Sequence, residues 1–213
     1  GAWVGSRVAL TLADLGVQEA REEASELLAQ AQASLGGLSK AAGLAGHLEE
    51  LCTLVRRAER EKKRSPSAPA ELCGNYLFVG NPGTGKSKFA AILAKQLRGL
   101  GLLTSDKLVV VSALNLQGEY LGQTKRKVDE LMATAAGGLL FVDEAYSLGN
   151  RDLFSKEAVD QLTFQMTSST HLHRTVVVLA GYEPAIDAML RAVNAGFASR
   201  FTRRLRFDDW DAA

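Results

Sequence analysis

Gly80-Asn81-Pro82-Gly83-Thr84-Gly85-Lys86-Ser87 fits the pattern GxxxxGK[ST]. It stands between an apolar run, Tyr76–Val79, and an amphipathic stretch over 86–99 whose apolar spacing predicts a helix. A strand, a glycine-rich turn and a helix N-terminus in that order form an anion site. Glycines let several backbone N–H groups turn toward one anion, and the helix adds the positive end of its dipole. In such a site Lys86 reaches the β- and γ-phosphates of a nucleotide and the Ser87 hydroxyl binds Mg²⁺. The expected nucleotide contacts are Asn81, Pro82, Gly83, Thr84, Gly85, Lys86, Ser87 and Lys88.

Downstream, Leu139-Leu140-Phe141-Val142 runs into Asp143-Glu144. Two carboxylates at the end of a buried strand are costly unless they serve a ligand, and ligands of open α/β sheets lie at that end. Asp143 is expected to hold Mg²⁺ through its waters. Glu144 is expected to orient the attacking water or to take its proton.

The texture from residue 75 onward supports this reading. Strands are predicted at Tyr76–Val79, Leu108–Val111, Leu139–Val142, Thr175–Ala180 and Arg204–Phe207, with helices near 86–99, 124–136, 156–168 and 184–193. Uninterrupted Val/Leu strands separated by helices argue for a parallel sheet buried on both faces. The fold class expected is α/β, a three-layer sandwich around a five-stranded parallel sheet. Phe89, Phe141, Phe164 and Met166 read as core. His171 and His173 have no Cys or carboxylate partner at metal-ligand spacing and read as surface residues.

The preceding residues have a different character. Residues 1–34 read as an acidic helical segment, and a second helix with Leu44, Leu48, Leu51, Leu54 and Val55 on one face follows Gly36-Gly37. That helix ends in a basic run over 56–64, read as a solvated helix end, before Ser65-Pro66-Ser67-Ala68-Pro69 stops it. The expected division is 1–34 as an N-terminal segment and 35–213 as a nucleotide-binding α/β subdomain.

Composition excludes several classes. The chain has 213 residues, 46% hydrophobic and 23% charged, a globular mix. No apolar run approaches the ~18 residues of a membrane span, so no membrane partner is expected. A net charge of +1 supplies no basic field that demands nucleic acid. Cys52 and Cys73 form no CxxC or zinc pattern, in keeping with a reduced, intracellular setting. The first residue is Gly1 and no targeting segment is visible in the opening residues, so the chain reads as part of something longer.

Taken with GNPGTGKS, the string Gly138–Leu148, GLLFVDEAYSL, resembles the AAA+ ATPases. More narrowly it is similar to their CbbX/CfxQ branch, which includes red-type rubisco activases and the EccA proteins of type VII secretion. Leu35-Gly36-Gly37-Leu38, Gly118–Thr124, Leu179-Ala180-Gly181-Tyr182 and Asn194–Phe201 resemble further segments of that branch, so the likeness covers about 35–210. It implies an ATP- and Mg²⁺-dependent hydrolase acting as a hexameric ring of this chain, with sites at subunit interfaces, that remodels a protein client, as in rubisco activation. It implies that Tyr120-Leu121-Gly122 form a pore loop, with a second near Asn150–Phe154 where Asp152 and Phe154 match the family. It makes Arg200 the arginine finger, with Arg203 or Arg204 as alternatives.

There are departures. Ala195 and Ala198 replace the Pro and Arg of the branch's NPGLRSRF, and the strand ending in Gly181-Tyr182 lacks the Asn or Thr of the usual sensor. The helical lid of the family is expected beyond Ala213, with its sensor arginine. Ala9–Leu15 resembles the end of such a lid in tandem members. Two rival readings are an ATP-binding scaffold with little turnover and a DNA-associated AAA+ loader.

Overall fold

The computed structural model describes residues 74–99, 102–118, 120 and 122–207. The expectations for residues 1–73 and for Leu121 lie outside the described residues. Five strands, β1 (Tyr76–Gly80), β2 (Leu108–Ser112), β3 (Leu139–Asp143), β4 (Val176–Gly181) and β5 (Arg203–Phe207), form one sheet in the order β2-β3-β4-β1-β5. Every pairing is parallel, with Phe78 opposite Ala180 on one side and Leu205 on the other. The longer helices are α1 (Lys86–Gly99), α3 (Gln123–Thr134), α4 (Leu153–Thr167) and α5 (Glu183–Ala192). Two four-residue helices, α2 (Ala113–Leu116) and α6 (Ala195–Ala198), and a 3₁₀ turn (Ala145–Gly149) were not anticipated. They are too short for a 3.6-residue period to register.

The strand side chains alternate between two cores. Tyr76, Phe78, Phe141, Val178 and Phe207 meet Phe89, Leu93 and Leu97 of α1 on one face. Leu77, Val79, Leu140, Val142 and Leu179 meet Val128, Met132, Leu162 and Ile186 of α3–α5 on the other. This is the three-layer α/β sandwich with a five-stranded parallel sheet that the sequence predicts. Phe78 is fully buried and packs against the rings of Tyr76, Phe89, Phe141 and Phe207. A buried aromatic of this kind is worth about 3–5 kcal/mol against alanine.

Two expectations are corrected. Phe164 is 63% exposed, because the buried stripe of α4 runs through Ser155, Ala158, Val159, Leu162 and Met166, and Phe164 falls on the opposite side. His171 is buried, with Nδ1 3.1 Å from Thr175 Oγ1, while His173 is exposed. Among the described residues no helix is long and apolar enough to cross a membrane.

Candidate nucleotide site

The carboxyl ends of β1, β3 and β4 open into one cleft of about 440 Å³. Its walls bring together Gly80, Pro82, Gly83, Gly85, Lys86, Ser87 and Lys88 from the glycine loop and α1, Asp143 at the end of β3 with Glu144 after it, and Gly181 at the end of β4 with Tyr182 after it. Sheet order explains the meeting, since β3, β4 and β1 are consecutive neighbours. Asn81 and Thr84 are not on the wall: the Thr84 hydroxyl is buried and donates to Asn81 O at 2.8 Å, bracing the loop internally.

Lys86 is buried at the first position of α1, and its Nζ donates to Gly80 O at 2.8 Å and Asn81 O at 2.6 Å. An ammonium has three donors, so one remains for a ligand oxygen. Burial pulls the Lys86 ammonium below its ordinary range, and the Asp143 carboxylate works in the opposite direction. Gly83 has φ +77°, and a Cβ there would meet no atom within 4 Å. The loop thus presents bare backbone to the cleft where a phosphate chain would lie. With the exposed Ser87 hydroxyl and the half-buried Asp143 carboxylate on the same walls, these residues fit a nucleoside triphosphate with Mg²⁺.

Glu144 has a left-handed backbone, φ 50° and ψ 36°, and starts the 3₁₀ turn. Its backbone N–H donates to Asp143 Oδ1 at 3.0 Å. Its carboxylate takes one hydroxyl on each oxygen: Tyr146 on Oε1 and Ser112 on Oε2, both at 3.4 Å. Tyr146 also lines the cleft and lies beside Tyr182, ring centroids 6.1 Å apart. Sequence reasoning missed Ser112 and Tyr146. The only available signals were their places, Ser112 closing β2 and Tyr146 two residues after Glu144.

The remaining residues lie away from the cleft. Tyr120 is 68% exposed in the turn before α3, and Gly122 caps that helix with φ +85°. The turn is anchored by Gly118 N to Thr124 Oγ1 at 2.9 Å and by Lys127 Nζ to Gln117 O at 2.8 Å. The expected second loop is shorter than predicted: Asp152 caps α4, Phe154 is half-buried within it, and the exposed apolar residue is Leu153. Arg200 follows α6, with its guanidinium on Gly196 O. Arg203 lies over the Tyr76 ring, and Arg204 pairs with Glu183 and Asp187.

A glycine loop between β1 and α1, facing an acidic pair across a parallel sheet of this order, defines a P-loop nucleotide-binding domain. The chain belongs to the family described as "ATPase family associated with various cellular activities (AAA)", whose sequence pattern matches residues 76–209. It is 37% identical over 191 residues to the ESX-1 secretion system protein EccA1 of Mycobacterium tuberculosis, covering 86% of this chain and 32% of that protein. It is 34% identical over 196 residues to the ESX-3 secretion system protein EccA3 of Mycolicibacterium smegmatis, covering 91% and 32%. It is 39% identical over 139 residues to stage V sporulation protein K of Bacillus subtilis, covering 64% and 42%. The chain therefore spans about a third of the length of the EccA relatives.

Proposed function

We propose that this chain binds and hydrolyses ATP and, in a ring of its own copies, uses the hydrolysis to remodel a protein client inside the cell. The observation that carries the reading is the convergence of Lys86, Ser87, Asp143 and Glu144 on one cleft. Lys86 and the loop N–H groups hold the phosphate chain, and Ser87 and Asp143 hold Mg²⁺, which neutralises charge on the phosphoryl being transferred. Glu144 orients the attacking water and takes its proton on a carboxylate oxygen. The exposed Tyr120 offers a large apolar face with a polar tip, suited to gripping unfolded or flexible peptide. The GLLFVDEAYSL string and the EccA relatives support the narrower placement in the CbbX/CfxQ branch. The relatives' names point to secretion and to sporulation, so the client is proposed only as a protein.

Glu144→Gln tests the chemistry. The amide keeps the shape of the side chain and cannot take the proton. ATP turnover is expected to fall at least about 10²-fold, while binding of a fluorescent ATP analogue stays within about twofold of the parent. Equal loss of binding and turnover would show that Glu144 only supports the cleft.

A further inference from the structure

The last residue of β4 is a glycine, and the space beside it holds the Tyr146 ring. A Cβ on Gly181 would come within 3.1 Å of Tyr146 Cδ1 and of Ile186 Cδ1. Tyr146 also lies beside Tyr182, ring centroids 6.1 Å apart, and its hydroxyl reaches Glu144 Oε1 at 3.4 Å. Gly181, Tyr182, Tyr146 and Glu144 all face the cleft that holds Lys86 and Asp143. Glu144 itself is exposed and sits on left-handed backbone, so packing does not fix its carboxylate. Two hydroxyls reach it instead, one on each oxygen, both at 3.4 Å, long contacts of the kind that tighten once the reacting geometry forms.

We infer that Tyr146 is a positioning residue for ATP hydrolysis, its ring seated in the space beside Gly181 and its phenol aiming the Glu144 carboxylate. The inference rests on the hydrolysis reading above. With Oε1 on the phenol, the carboxylate presents Oε2, whose second lone pair beside the Ser112 hydroxyl can meet the water. Tyr182 and Gly181 set the ring's position, and the ring sets the carboxylate's. The phenol stays a donor across the working range, because burial and the neighbouring Glu144 charge both push its pKa up.

The test is steady-state ATP hydrolysis by the parent, Tyr146→Phe, Gly181→Ala and the double variant, with thermal unfolding of each. Tyr146→Phe keeps the ring and its contact with Tyr182 and removes only the hydroxyl. We expect kcat to fall about tenfold, below the ~10²-fold cost of a 1 Å misplacement, with KM for ATP and the unfolding temperature unchanged. Gly181→Ala displaces the ring and is expected to lower kcat in the parent. In the Tyr146→Phe background it should cost less than about twofold more, because the phenol–Glu144 hydrogen bond through which the ring acts is already gone. Unchanged kcat in Tyr146→Phe, a matching fall in unfolding temperature, or effects that simply multiply would each overturn the inference and leave the hydrolysis reading standing. A parent protein with no turnover would overturn both.

Discussion

At His171 burial decides the chemistry. Thr175 Oγ1 accepts from Gly137 N–H at 3.3 Å, and its own proton can go to His171 Nδ1, 3.1 Å away. Protonating the imidazole would put a donor where that acceptor stands and a charge where water is excluded, and burial lowers the His171 pKa. The unfolded chain therefore takes up this proton first as pH falls below about 6.5, the ordinary histidine value. Between that value and the lower folded pKa the unfolded state binds more protons, so stability falls with falling pH and levels off below the folded pKa. The unfolding temperature should drop between pH 7 and pH 5, and His171→Asn should flatten that slope. An unchanged slope in the variant would place the acid sensitivity elsewhere. The sequence offered no warning, since a histidine in a polar loop has the same composition whether the loop folds outward or inward. Phe164 errs in the opposite direction: its residue type says core, and its angular position on α4 puts it in solvent. Lys86, Ser87, Asp143 and Glu144 were legible because their positions are fixed by strand ends and a turn motif, which local sequence encodes. Tyr146 and Ser112 were not, because their contacts to Glu144 depend on how the chain folds back, Ser112 lying 32 residues away.

The start of α4 joins the elements around the site. Asp152 Oδ1 accepts from Ser155 N at 2.7 Å, the side-chain cap of the helix. Burial pushes the Asp152 carboxyl up, but the Ser155 hydrogen bonds outweigh it and hold the pKa below the usual value. The fully buried Ser155 hydroxyl lies 2.7 Å from Asp152 Oδ2 and 3.2 Å from Ser147 O in the 3₁₀ turn, and it accepts from Gln117 Nε2 at 2.9 Å. One hydroxyl thus ties the turn that follows Glu144 to the loop that carries Tyr120. Ser155→Ala leaves the backbone cap intact and strips the acceptor from a partly buried amide. The expected loss is about 1–3 kcal/mol of folding stability, measured by urea unfolding. A loss below about 0.5 kcal/mol, the level of an ordinary surface change, would show that water or another group serves Gln117 equally well. The long elements were readable from period and apolar runs, but this joint was not. The predicted start of α4 at 156 missed the Asp152 cap and its first turn, where the contacts between elements are made.

At the scale of the molecule, the sheet order is what the strand pattern alone left open. Parallel strands and helices were predictable, whereas placing β4 between β3 and β1 takes contacts across a hundred residues, such as Tyr76 with Val178. That order gives the cleft its lysines and carboxylates, yet no arginine is among its described lining residues. Phosphoryl transfer gains most from an added cation over the transferring group. Within the arginine cluster at the end of the chain, Arg204 and Arg206 are bound to α5 carboxylates and Arg203 lies on an aromatic ring, whereas Arg200 is held by a backbone carbonyl of the preceding helix, which makes it the member to test as a cation that serves a neighbouring copy. If it does, ATP turnover per chain should rise with protein concentration, and Arg200→Ala should cut kcat by about 10³-fold without weakening nucleotide binding. Mixing Arg200→Ala with Glu144→Gln chains makes the decisive case. Each would be nearly inactive alone, but a ring that mixed them would contain sites with an intact Glu144 from one copy and an intact Arg200 from the next. Activity recovered on mixing would require sites shared between neighbours. Failure to recover, under conditions where the two chains co-assemble, would confine catalysis to a single chain and remove the physical reason for a ring.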